Sequence, residues 1–195
     1  MSPLQFSTGP PLGYRATLGL IVLQADETIE YEFSHLLNQE GIALYVTRVS
    51  SSNFLNSESL MAMESKLPDA LSVLPNQLDF DVIGYACTSG AALIGTEQIH
   101  GLVKSAINVK HVTDPMSAVI AASRFLGARR LGFVTPYIPE VSTNVRQRLQ
   151  EAGLEITSFG SFEQEEEHIV ASIDQQSVIE AALLVGKEKA CDAVF

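Results

Sequence analysis

The sequence predicts an α/β protein made of two pseudo-symmetric lobes, each built on a parallel sheet. Two observations carry this. Short apolar runs alternate with segments of helical spacing along almost the whole chain, the pattern of parallel strands joined by right-handed crossovers. The pattern then restarts near residue 114, at a nearly constant offset from its first appearance. The chain's 195 residues suffice for two small α/β lobes, and a hydrophobic content of 46% supports a packed core.

In the first half, residues 17–23 read as a strand and 27–38 as a helix, with Ile29, Phe33, Leu36 and Leu37 on one face. Gly41 stops that helix before a strand at 42–49. A long amphipathic helix is expected over 57–74, with Leu60, Met63, Leu67, Leu71 and Leu74 inward and Pro68 kinking or breaking it. A strand at 80–85 precedes Cys87, residues 91–106 are mostly helical, and 109–112 is a short strand. The second half repeats the order. Helices are expected at 115–126, 141–152 and 177–189, and strands at 131–135 and 154–159. The acidic stretch 163–167 reads as a solvated helix start, where acids suit the dipole, and a last strand opens at Ala193.

Three anchors define the repeat. Gly19-Leu-Ile-Val matches Gly132-Phe-Val-Thr at an offset of 113, Gly41 matches Gly153 at 112, and Asp81-Val-Ile-Gly matches Asp192-Ala-Val-Phe195 at 111. The expected organisation is a flexible leader over 1–13, a first lobe over 14–113 and a second over 114–195. Cys87 lies six residues after Asp81, so its counterpart falls three positions past Phe195 and the second lobe is expected to be incomplete at its C-terminus. Cys191 precedes its strand, in the wrong register, and is read as structural.

Cys87 is the residue from which chemistry is expected. It ends a buried strand and is followed by Thr88-Ser89-Gly90 and an Ala-rich segment able to start a helix. A thiol there meets unpaired N–H groups and the positive end of a helix dipole, which together favour the thiolate. A small buried core thiol is the alternative. The formal net charge of −11 disfavours nucleic acid and anionic membrane as partners. Two cysteines are too few for a disulfide framework, and free thiols point to a cytoplasmic setting. No apolar run approaches the ~18–20 residues of a membrane span. The four histidines show no metal-ligand spacing, and no phosphate-cradling glycine motif is present, so neither a metal nor a nucleotide cofactor is expected.

Four ordered segments carry a family resemblance: Gly19-Leu-Ile-Val, Tyr85-Ala-Cys87-Thr88-Ser89-Gly90, Val134-Thr135-Pro136-Tyr137 and Cys191-Asp-Ala-Val-Phe195. On these the chain resembles the maleate isomerase and arylmalonate decarboxylase family, within the aspartate/glutamate racemase group. Residues 23–28 and 159–162 are similar to its ectoine-utilisation branch. The resemblance implies two Rossmann-like lobes with the active site between them, and no cofactor. It also implies two opposed cysteines, of which Cys87 matches the first, while the second would follow Phe195 in a longer form of the chain. Family decarboxylases carry glycine at the first position, so Cys87 favours isomerase or racemase chemistry.

Cys87 is then the nucleophile or proton-transfer thiol. Thr88 and Ser89 offer donors to a substrate carboxylate, or simply cap the helix. Tyr137 matches a family tyrosine that hydrogen-bonds that carboxylate, with Thr135 a further donor; a half-buried aromatic covering the crossover is the alternative for Tyr137. Gln24 and Asp26 occupy the first strand-to-helix loop. Maleate isomerases carry asparagine at the place of Asp26, and again near Gln164. An aspartate there repels a second carboxylate and attracts an amine, so an amino-acid-like compound is expected to fit better than maleate, unless Asp26 serves only as a helix cap. The partners expected are a small carboxylate or amino-acid-like substrate and, for the full-length form, further copies of the chain. A non-catalytic small-molecule sensor on the same two-lobe cleft is the competing function, and an inactive fragment is the other.

Overall fold

β1 (Ala16–Leu23), β2 (Ile42–Val49), β3 (Phe80–Tyr85) and β4 (Val109–Thr113) form one sheet in the order β2-β1-β3-β4. β5 (Arg130–Tyr137), β6 (Glu155–Gln164) and β7 (Ala193–Val194) form a second, in the order β6-β5-β7. Every pairing between these strands is parallel. The structure is a computed structural model that describes residues 3–188 and 190–195. The expected leader and last long helix each run partly outside the described residues; residues 3–11 carry no helix or strand.

The internal repeat is visible in the register. Gly19 stands opposite Ile83 in the first sheet, and Gly132 opposite Val194 in the second. Asp81 accepts the N–H of Thr17 at 2.8 Å, and Asp192 accepts the N–H of Arg130 at 2.9 Å. The same carboxylate thus caps the same strand start in both sheets, and the aligned pairs are those of the sequence offsets. Each carboxylate also meets a cation, Lys110 at 2.6 Å from Asp81 and Arg130 at 2.8 Å from Asp192, which holds both acids below the usual carboxylate range.

The helices follow the sequence with three differences. The expected 57–74 helix is divided into α2 (Ser57–Ala62), a 3₁₀ turn (Glu64–Lys66) and α3 (Leu67–Ser72). Pro68 sits in the first turn of α3, where its missing N–H costs nothing. The apolar face survives the break: Leu60, Met63, Leu67, Leu71 and Leu74 are all buried. Likewise 91–106 is divided into α4 (Thr88–Ile94) and α5 (Thr96–Ala106) at Gly95, whose φ of +100° suits glycine alone. α1 (Ile29–Leu36) buries no residue, and Leu36, expected inward, is 70% exposed.

α6 (Pro115–Leu126) matches the expected span and starts on Asp114, whose carboxylate accepts from Met116 and Ser117 N–H. α7 (Pro139–Glu151), the short α8 (Glu167–Ala171) and α9 (Gln175–Glu188) complete the second half. One contiguous core joins the sheets, from Ile21, Phe80 and Ile83 on one side to Leu131, Val145 and Leu149 on the other. Each such side chain contributes about 1.5–3 kcal/mol by leaving water. Arg148 crosses between the halves, its Nε donating to the Ala92 carbonyl at 2.8 Å and docking α7 on α4. No helix among the described residues is long and apolar enough to cross a membrane.

Candidate functional site

In an open parallel sheet, ligands bind beyond the carboxyl ends of the strands, at the point where the strand order reverses. In the first sheet that point lies between β1 and β3. β1 ends at Leu23 and runs into Gln24 and Asp26; β3 ends at Tyr85 and runs into Cys87. In the second sheet it lies between β5 and β7, where β5 ends on Tyr137.

Cys87 is the N-cap of α4, with an extended backbone at φ −144° and ψ 111°. Its Sγ accepts the Gly90 N–H at 3.2 Å and lies 3.5 Å from the Ser89 hydroxyl. The sequence pattern thus gives the expected placement, a thiol at a helix start with donors around it. The expected ionisation does not follow. Cys87 is only 6% exposed, and burial pushes its thiol up from the ordinary value. The Ser89 and Gly90 hydrogen bonds pull it partly back, while the charge of Glu167 adds to the rise. Desolvation of the anion outweighs the two donors, so the thiol is harder to ionise than its position at a helix start alone implies.

Tyr137 faces this thiol. Burial raises its hydroxyl above the ordinary value, the charges of Cys87 and Glu167 raise it further, and the Ser89 and Thr88 side chains lower it. Cys87, Thr88 and Ser89 at the start of α4 thus lie near Tyr137 at the end of β5. Thr135 is 2% exposed, and its hydroxyl accepts the Tyr137 N–H at 3.2 Å, which holds the strand end in place. It also lines a separate, mainly apolar cavity of about 370 Å³ with Val170, Val194 and Phe195.

Gln24 and Asp26 line another cavity of about 370 Å³, together with Asn53, Phe54, Glu167 and His168. Asp26 Oδ1 accepts from the N–H groups of Thr28 and Ile29, both at 2.9 Å, so it does cap the loop leading into α1. Arg48 fixes the same loop from β2, donating to the carbonyls of Leu23, Gln24 and Asp26 at 2.9–3.1 Å. A larger cavity, about 530 Å³, lies elsewhere, between α4 and α7 and lined by Ala91, Gly95, Met116 and Arg148. It holds none of the residues gathered around the thiol.

Cys191 lies at the other end of the fold. Its neighbour Asp192 stands beside the start of β5, about seven residues or roughly 23 Å of strand from Tyr137. Its Sγ sits 3.7 Å from the Gly186 carbonyl, a structural placement.

The acidic stretch differs most from its sequence reading. β6 runs on to Gln164, and Glu163 turns the chain with a φ of +53°. Phe54 and Glu166 then form an antiparallel bridge between the halves. Leu55 N–H donates to Glu165 at 3.0 Å, and Glu167 N–H to Asn53 at 3.0 Å. His168 Nδ1 lies 2.9 Å from Glu27 Oε1. Glu167 does open a helix, α8, as expected, but it is half-buried rather than solvated. It is turned into the cleft, where burial and the charge of Asp26 push its carboxyl up to about 7. The sequence held no signal for this: Glu167 has Val170 and Ala171 at helical spacing, but Glu166 has Ile169 and Val170 likewise.

Comparison with known proteins bears on the fold and the family. Residues 94–195, just over half of the chain, match the arylmalonate decarboxylase family. A maleate isomerase of Nocardia farcinica is 26% identical over 176 residues, covering 85% of this chain and 69% of that protein. The crystal structure of the maleate isomerase Iso of Pseudomonas putida S16 superposes with a TM-score of 0.78 at 22% identity, over 92% of this chain and 76% of that one. A cysteine-to-serine mutant of the Nocardia farcinica maleate cis-trans isomerase, with a covalently bound succinylcysteine intermediate, superposes at 0.77 and 23% identity, over 87% and 72%. At such identities the superpositions show the α/β fold with its parallel sheets.

Proposed function

The chain belongs to the arylmalonate decarboxylase family, and from that premise we propose that it is a cofactor-independent isomerase or racemase of small carboxylates working through Cys87. The observation that carries this is the proximity of Cys87, Thr88, Ser89 and Tyr137 at the strand ends of the two sheets. In the isomerase form, the Cys87 sulfur adds to a double bond conjugated with a carboxylate. A C–S bond forms and the π pair moves onto the α-carbon as an enediolate. Rotation about the new single bond follows; the pair then returns, the double bond reforms and the C–S bond breaks. In the racemase form the Cys87 thiolate takes the α-proton onto sulfur, and the C–H pair passes into the carboxylate as an enediolate. A proton is delivered to the opposite face by the second, opposed thiol that the family resemblance implies; in the reverse direction Cys87 is the donor. Thr88, Ser89 and Tyr137 supply the donors that meet the charge on the carboxylate.

The covalently bound succinylcysteine of the Nocardia enzyme supports thiol addition as the chemistry. The acid at position 26, committed to its own loop but lining the cleft, supports an amino-acid-like substrate over maleate, and the similarity at 23–28 and 159–162 supports a role in ectoine breakdown. Cys191 lies beside the start of β5, with its sulfur near the Gly186 carbonyl, and does not serve as an opposed thiol in this reading.

A non-catalytic binding protein on the same cleft is the second reading, favoured by the burial and raised pKa of the Cys87 thiol. The test is cis–trans isomerisation of alkene carboxylates and solvent deuterium uptake at the α-carbon of amino acids, followed by NMR. Catalysis is expected from the wild-type and Cys191→Ser chains and none from Cys87→Ser. Equal turnover in Cys87→Ser refutes the thiol mechanism, and binding without turnover selects the second reading.

A further inference from the structure

We propose that Glu167 is the specificity-determining residue of the cleft: with Asp26 it receives the substrate end remote from Cys87 and admits an ammonium there in preference to a second carboxylate. This rests on the function proposed above and names the substrate class for the same site.

The first support is placement. Glu167 is held by backbone rather than by its own side chain. Its N–H is bonded to Asn53, the preceding residue bridges Phe54, and the following residue contacts Glu27. These ties come from the opposite half of the molecule and leave the carboxyl directed into the cleft.

The second support is shared lining. Asp26 and Glu167 both line the 370 Å³ cavity at the end of β1 and a smaller one of about 220 Å³ beside it. The smaller cavity also meets Val170 and Ile173 as well as Glu27 and Glu32, so acids dominate its charge. Glu167 is also close enough to Cys87 and Tyr137 for its charge to act on both. It thus lies on the side of the cavity that a substrate engaged at the thiol would reach.

The third support is the charge balance. Neither cavity is lined by a lysine or an arginine. A second carboxylate would enter a space already holding Asp26, where the basic group of the lining, His168, is already paired with Glu27. An ammonium would complete the set, bonding to carboxylates whose own attachment is already settled: Asp26 through the Thr28 and Ile29 N–H groups, Glu167 through its backbone. Burial and the Asp26 charge hold Glu167 up to about 7, so its ionisation responds to what enters. A cation draws it into the charged form, and an anion leaves it neutral.

The experiment reads ligand protection of Cys87, which needs no turnover. The chain is alkylated with iodoacetamide, a neutral reagent, and modification of the Cys87 peptide is followed by mass spectrometry. The probes are aspartate and 2,4-diaminobutyrate, which share an α-amino-acid head and differ in carrying a distal carboxylate or a distal ammonium. 2,4-Diaminobutyrate is expected to protect at a concentration at least about 10-fold lower than aspartate. Glu167→Gln should collapse that ratio toward one, and Glu167→Asp should keep most of it. Circular dichroism melts check that both variants fold, and Glu167→Asp carries the comparison if Glu167→Gln does not. Equal protection by the two probes in the wild type, or a ratio unchanged in Glu167→Gln, overturns the proposal. Discriminating protection with no isomerisation or deuterium exchange would keep it while refuting catalysis, so the two failures are distinct.

Discussion

Two helical glycines offer the same substitution with opposite expected outcomes. A Cβ on Gly90 would lie 2.4 Å from the Tyr85 hydroxyl, 3.0 Å from Cys87 Sγ and 3.1 Å from the terminal methyl of Met63. None of the three yields easily: Tyr85 is 1% exposed, Met63 is buried, and Cys87 is fixed by its capping role. Overpacking of this kind costs about 1–3 kcal/mol, and the rigid neighbours place Gly90→Ala toward the top of that range. Replacing glycine by alanine within a helix returns about 1 kcal/mol. The net loss is then about 1–2 kcal/mol, a fall in Tm of roughly 2–8 °C for a chain of this size. Gly101, within α5, is exposed, and a Cβ there meets nothing within 4 Å. Gly101→Ala should therefore gain about 0.4–1 kcal/mol and raise Tm by roughly 1–4 °C. Calorimetric melts of the two variants beside wild type decide it. A Gly90→Ala chain melting at or above wild type would refute the packing described around Cys87.

Arg48→Ala should release the loop after β1, since three carbonyls lose their donor together. Amide exchange at residues 24–27 is expected to speed up at least about 10-fold, consistent with loss of more than one hydrogen bond; unchanged exchange would mean that the loop is held otherwise. The His168–Glu27 contact gives a pH dependence. Glu27 raises the His168 pKa, so the contact is fully present below the unfolded value of about 6.5 and is lost as pH rises through the higher folded value. After correction for intrinsic rates, amide exchange in α8 should therefore rise with pH across that window in wild type and stay flat in Glu27→Gln; parallel profiles would show the contact to be idle.

The strands and the thiol were legible because their signals are local. An apolar run ended by glycine marks β3 wherever it packs, and Cys87 at its end must fall beside the next helix start. The repeat was legible for the same reason, since Asp81 and Asp192 do the same backbone work at each third strand. What depends on long-range contact was not legible. Leu36 keeps helical spacing but α1 buries nothing, so periodicity overstated its burial. Glu167 looked like one solvated acid among several until the Phe54–Glu166 bridge turned it inward. The Cys87 ionisation was misjudged because the donors are read from adjacent residues, whereas the desolvation comes from the packed core around them.

The central claim, that the cleft thiol is the reacting group, is tested most directly by trapping. The chain is incubated with maleamate, an alkene carboxylate whose second end is a neutral amide, quenched in acid, and its two cysteine peptides are mapped by mass. The account predicts a thioether adduct, heavier by one whole acceptor molecule, on Cys87 and none on Cys191. An adduct that forms faster on the half-exposed Cys191, or none on Cys87, would contradict it.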